Sequence, residues 1–132
     1  MKLVLIISLL ISSFAFAAGK AVEAGTYSAI DVETKKINAT LIIRADNTMN
    51  FMVVSPDFTM PAPGCEGSYT TEENNFVADL KCPIDFLNEI QVQIDITKVT
   101  SENVRSEAGV DVEVILDALG PDAFLFNLHK IK

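Results

Sequence analysis

The feature that most restricts the fold of this chain is a repeated alternation of apolar and polar residues. Between residues 89 and 97 the apolar side chains fall at every second position from Ile90, and polar residues such as Gln91 and Gln93 occupy the positions between them. A period of two places alternate side chains on opposite faces of a β-strand. No window of about eleven residues or more shows the 3.6-residue period of an amphipathic helix. We therefore expect an all-β protein.

The same pattern recurs in eight segments, which we interpret as eight strands. These segments are 25–32, 37–45, 48–55, 65–72, 75–82, 89–99, 110–118 and 122–131. Most connections between them are short and rich in turn residues, and short loops join neighbouring antiparallel strands, because a parallel crossover needs about a dozen residues. Eight strands joined in this way favour an eight-stranded antiparallel up-and-down barrel, whose closure removes exposed edges. A two-sheet β-sandwich is the alternative.

The first 17 residues have the pattern of a secretory signal peptide. Lys2 supplies a positive charge, residues 3–16 are mainly apolar, and residues 15–17 (Ala-Phe-Ala) place small residues where signal peptidase requires them. The apolar run is too short for a membrane anchor. We expect cleavage after residue 17, one barrel domain over residues 18–132, and a protein that is periplasmic or secreted.

The two cysteines, Cys65 and Cys82, are expected to form a disulfide, because export places them in an oxidising compartment. If Glu73 and Asn74 form a two-residue turn, the flanking strands place Cys65 opposite Cys82. The pair then occupies a non-hydrogen-bonded position, where Cα atoms are about 4.5 Å apart. That separation falls within the range of disulfides. The spacing and the turn position therefore predict the same bridge.

Composition excludes several functional classes. The net charge is −8 and the single histidine is His129. Nucleic acid is not an expected partner, since phosphate binding needs clustered Lys and Arg. Nucleophilic catalysis needs a base beside the nucleophile. Zinc needs three or four ligands, and the only soft ligand besides the two cysteines is His129, which lies far along the chain. We therefore predict a non-enzymatic protein without catalytic residues, a metal site or a cofactor.

Two loops are more apolar than the others and form the candidate binding site. They span residues 56–64 and 83–88, lie at one end of an up-and-down barrel, and both adjoin the cysteine pair. Their side chains either plug that end as core or line a binding site for a small apolar ligand or a protein partner. The candidate ligand-binding residues are Phe58, Met60, Ile84, Phe86 and Leu87.

The order of short motifs resembles small lipocalin-like (calycin-type) barrels. Gly25-Thr26-Tyr27 opens the first strand, residues 41–51 form a hairpin, and residues 67–70 (Gly-Ser-Tyr-Thr) lie in the fourth strand. The resemblance implies a closed barrel that binds a small apolar molecule. Some periplasmic inhibitors of proteases or lysozyme are also small, disulfide-bridged barrels. That second resemblance implies the alternative function, a protein-binding module such as an inhibitor of an exported hydrolase.

The phase of the alternation predicts which side chains fill the barrel. The inward set is Leu41, Ile43, Phe51, Val53, Leu80, Ile90, Val92, Ile94, Val112, Val114, Phe124 and Phe126. Because most of these side chains are large, we expect little empty volume between them. The outward phase also carries apolar residues, which we expect to form a band that supports a homodimer or a partner contact. The band consists of Ile30, Val32, Ile42, Met52, Val54, Ile115, Leu125 and Ile131.

Overall fold

The computed structural model describes residues 20–132, so the predicted signal peptide lies outside the described residues. The strands are β1 (Gly25–Asp31), β2 (Asn38–Ile43), β3 (Thr48–Ser55), β4 (Phe58–Thr59), β5 (Cys65–Glu72), β6 (Asn75–Lys81), β7 (Glu89–Asp95), β8 (Val110–Leu116) and β9 (Phe124–Lys130). A short helix, α1 (Ser101–Arg105), follows β7, and a 3-10 turn (Asp117–Leu119) follows β8.

All of these strands except β4 close an antiparallel barrel, as predicted. Neighbours around the sheet are β2-β1-β9-β8-β7-β6-β5-β3, and β2 also pairs with β3, so the ring of strands is complete. Closure excludes the two-sheet sandwich. The two-residue β4 pairs with the end of β3, where Ser55 lies opposite Phe58. The sequence did not reveal β4, because two residues are too few to show an alternation.

The β5–β6 hairpin has the register expected from its turn. Glu66 lies opposite Lys81, and Glu72 lies opposite Asn75. Cys65 and Cys82 form the predicted disulfide with a Cα–Cα distance of 4.0 Å. The bridge therefore ties together the bases of the two apolar loops.

The barrel interior contains most of the predicted core. Ten members of the inward set are buried, and the two others are Val53, which is partly buried, and Phe124, which is 41% exposed. Val53 lies near the end of β3 and Phe124 lies at the start of β9, so both are near the same end of the barrel. Both side chains have the inward phase of their strands. Their exposure reflects a cavity at that end, which is described below.

The opposite end of the barrel is covered by the chain preceding β1. The Lys20 backbone N–H donates to the carbonyl of Glu73 at 2.8 Å. The Lys20 ammonium donates to the carbonyls of Ile96, at 2.8 Å, and Thr97, at 3.3 Å. Residues 20–24 thus lie across this end as a cover held by hydrogen bonds to two loops.

Helix α1 lies beside this cover. Thr100 caps it: the Thr100 side chain accepts from the Asn103 N–H, and the Asn103 side chain accepts from the Thr100 N–H. Val104 is buried, and Arg105 forms an ion pair with Glu23 at 2.6 Å. Among residues 20–132 no helix has the length and apolar character needed to cross a membrane.

Candidate ligand-binding site

A cavity of about 590 Å³, here called the mouth cavity, enters the barrel between the β1–β2, β3–β4 and β8–β9 connections. Its walls are mainly apolar and its volume falls in the range of small-molecule sites. The apolar lining residues are Ala29, Ile37, Ala39, Leu41, Phe51, Val53, Phe58, Val92, Ile94, Val114, Leu116, Leu119, Ala123, Phe124, Leu125 and Phe126.

Two alanines help to create the space. Ala29 of β1 lies directly opposite Ala39 of β2, and both are buried and face the cavity. Their side chains are too short to reach the opposite wall, and the large inward residues elsewhere do not fill the space that remains. The expectation of little empty volume is therefore wrong at this end of the barrel. Phe124 faces the same space, which explains why a residue with inward phase is 41% exposed. Small residues at inward positions were the sequence signal that could have located the cavity.

Leu41 and Ile94 form the inner end of the mouth cavity. Both also line a second cavity of about 260 Å³ on the covered side of the barrel. That cavity is bounded by Val22 of the cover, Tyr27 and Val104 among others. The barrel interior therefore contains two spaces with a layer of side chains between them.

The polar side chains of the mouth cavity lie at its entrance. The Asp31 carboxylate accepts hydrogen bonds from the backbone N–H of Glu33 at 3.0 Å and of Thr34 at 3.3 Å, and also from the Thr34 hydroxyl. These bonds, the one from the Thr34 side chain first, hold the pKa of Asp31 below its ordinary value, so the carboxylate is ionised near neutral pH. Ser55, the fourth polar lining residue, donates its hydroxyl to the Phe58 carbonyl at 3.4 Å.

The first predicted loop contributes one residue to this cavity. Phe58 lines the entrance, where β4 folds back onto β3. The next candidate, Met60, is buried elsewhere: its backbone N–H donates to the Val53 carbonyl at 3.0 Å, and its sulfur lies 3.6 Å from the Cys65 sulfur. Met60 therefore packs against the disulfide.

The second predicted loop lies outside the mouth cavity. Ile84 packs against the core and Leu87 is partly buried, with its N–H donating to the Ile84 carbonyl at 3.2 Å. Phe86, by contrast, is 80% exposed. The structure thus brings Phe58 alone, of the five candidates, to the cavity.

The outward apolar residues are divided by polar neighbours. Val32 lies beside Leu125, since its N–H donates to the Leu125 carbonyl at 3.0 Å. Met52 of β3, by contrast, lies opposite Thr40 of β2, and Thr40 lies opposite Ser28 of β1. Polar side chains therefore interrupt the band, and a homodimer contact there stays a prediction.

Within residues 20–132, no three His, Cys, Asp or Glu side chains are grouped so that they could hold a metal ion. No protein-family model, curated protein or solved structure matches the chain. The closed eight-stranded barrel implied by the lipocalin-like resemblance is confirmed, whereas membership of that family is not supported by any match.

Proposed function

We propose that this protein is an exported, non-enzymatic binding protein that holds a small apolar ligand in the mouth cavity. The observation that carries the proposal is the cavity itself, about 590 Å³ with a mainly apolar lining and an entrance between loops. Water gains few hydrogen bonds in such a space, whereas an apolar molecule gains about 25 cal/mol for each Å² removed from water. The export part of the proposal depends on the signal-like pattern of residues 1–17.

The geometry also limits the size and shape of the ligand. A volume of about 590 Å³ corresponds to roughly twenty water-sized volumes, so one single-chain or small-ring molecule fits. Each methylene group buried in the cavity contributes about 0.8 kcal/mol, or about a fourfold gain in affinity. Affinity for a series of linear alcohols should therefore rise with chain length until the chain reaches Leu41 and Ile94.

Two matched variants test the proposal. Ala39→Phe places a ring inside the mouth cavity, and Thr40→Phe places the same ring on the outer face of the same strand. Binding is followed by the fluorescence of the uncharged probe N-phenyl-1-naphthylamine, and folding by circular dichroism. We expect Ala39→Phe to weaken binding at least tenfold and Thr40→Phe to leave it unchanged. If the parent protein does not bind the probe, or if folded Ala39→Phe binds it as well as the parent, the proposal is wrong.

A protein-binding module, such as an inhibitor of an exported hydrolase, is the second candidate function. It is favoured by Phe86, which is 80% exposed on the loop between β6 and β7. A hydrogen bond of 2.8 Å from the Cys82 N–H to the Asn88 carbonyl closes this loop, and the disulfide holds its base. A large aromatic side chain on a constrained loop is suited to insertion into a partner's cleft. Native mass spectrometry of protein from its natural source separates the candidates, since one predicts a small adduct and the other a co-purified protein.

A further inference from the structure

The entrance of the mouth cavity is acidic. Among the described residues that line the cavity, Asp31 and Glu33 carry charge, and no Lys or Arg is present. The surrounding connections add further acidic residues, which outnumber the two lysines of the β1–β2 connection. The acidic residues of these connections are Asp57, Asp117 and Asp122, and the lysines are Lys35 and Lys36.

The hydrogen-bonding groups of the entrance have the same bias. The hydroxyl of Thr34 already donates to Asp31, and that of Ser55 already donates to the carbonyl of Phe58. A carboxylate has acceptor sites and no donors. The side chains of the entrance therefore offer a ligand free acceptors, and an anionic head group would meet like charge without a side-chain donor.

We propose that the mouth cavity takes a single-chain amphiphile with a cationic, hydrogen-bond-donating head, such as a primary ammonium. This inference rests on the proposed apolar-ligand function and names the ligand class for the same site. The apolar tail lies between the walls that include Ala39 and Phe51 and extends towards Leu41 and Ile94. The ammonium, with three donors, remains at the entrance beside Asp31 and Glu33, where charge-assisted hydrogen bonds are stronger than neutral ones.

The test compares three ligands with the same alkyl chain: dodecylamine, which is protonated at pH 7, the neutral dodecanol, and dodecanoate. Each displaces N-phenyl-1-naphthylamine from the parent protein at concentrations below micelle formation. We expect the amine to bind about tenfold or more tightly than the carboxylate, with the alcohol between them, because the two carboxylates at the entrance attract one head group and repel the other. Added salt should reduce the ratio of amine affinity to carboxylate affinity, since salt screens the charges at the entrance.

Charge-neutralising variants show whether the entrance causes the preference. Asp31→Asn with Glu33→Gln removes both charges, and Asn keeps an oxygen that accepts the turn hydrogen bonds. Glu33→Gln alone changes an exposed residue and serves if the double variant does not fold. The matched control, Glu72→Gln with Glu107→Gln, removes two exposed charges near the opposite end. We expect the amine-to-carboxylate ratio to fall several-fold in the entrance variants and to stay unchanged in the control.

The outcomes separate the two proposals. If dodecanol, dodecylamine and dodecanoate all fail to displace the probe, both the apolar-ligand function and the cationic preference are overturned. If they bind but the amine shows no advantage over the carboxylate, only the cationic preference is overturned. The same holds if the control variant lowers the ratio as much as the entrance variants, because the effect then reflects overall charge.

Discussion

Ile94 offers the sharpest test of the barrel interior, because it lines both cavities. Ile94→Ala removes three carbon groups, whose transfer out of water contributes about 2.4 kcal/mol at about 0.8 kcal/mol each. If the walls do not relax, a void of roughly 90 Å³, taking about 30 Å³ for each group, adds about 2 kcal/mol. The expected loss therefore lies between about 2.4 and 4.5 kcal/mol. We expect the lower part of this range, since a side chain that borders empty space on two sides makes fewer contacts.

The loss is measured by urea unfolding, followed by far-ultraviolet circular dichroism. Gln93→Ala, on the outer face of the same strand, is the matched control and should change the free energy of unfolding by less than about 0.5 kcal/mol. The substitution should also connect the two cavities, so that a longer alkyl chain gains affinity relative to a shorter one. A loss below about 1 kcal/mol, together with an unchanged chain-length preference, would refute the position we assign to Ile94 between the cavities.

Three further predictions concern the disulfide, a buried tyrosine and an exposed phenylalanine. Replacing Cys65 and Cys82 with alanine should lower the free energy of unfolding by about 3 kcal/mol for a loop of sequence separation 17, and thiol titration of the unfolded, unreduced parent should find no free sulfhydryl. Burial raises the pKa of Tyr27 to about 12, above its unfolded value near 10. The neutral phenol therefore contributes fully to the free energy of unfolding below about pH 10, and this contribution is lost as the pH rises through about 12. Tyr27→Phe should reduce the loss of stability at alkaline pH, measured by unfolding at several pH values. Phe86→Ser should change neither the melting temperature nor probe binding, because the ring is 80% exposed and outside the mouth cavity; a fall in either would place Phe86 in the core or the site.

Strand positions were predictable because burial alternates from one residue to the next, and the alternation is visible in the local sequence. Ile90, Val92 and Ile94 show this alternation, and all three are buried. The end of that strand was less predictable: the predicted strand runs to residue 99, but β7 ends at Asp95. The Asp95 carboxylate accepts from the N–H of Thr97 at 3.0 Å, and this bond turns the chain although Ile96 and Thr97 still follow the alternation. The five residues of α1 are likewise too few to display a helical period.

The site was less predictable because it depends on which inward positions are too small to fill the barrel. Phe58 was predictable from its apolar loop, whereas Ala29 and Ala39 are small residues within strands whose pattern is otherwise ordinary. The position of Met60 could not be predicted without the hairpin of β3 and β4, which directs the Met60 sulfur towards Cys65. A local sequence pattern predicts which face of a strand a side chain occupies. It does not predict the volume that remains between opposite walls of the barrel.

The β1–β9 pairing that closes the barrel has a consequence for the order of folding. Tyr27 lies opposite Lys130, so the closing contact joins strands that are far apart in the sequence. Pairings of this kind form slowly, because a long loop must be ordered before they contribute stability. Until β9 docks, β1 and β8 each present an unpaired edge that can recruit another chain. The newly made barrel is therefore most prone to aggregation just before its final strand is in place, whereas its short hairpins form early.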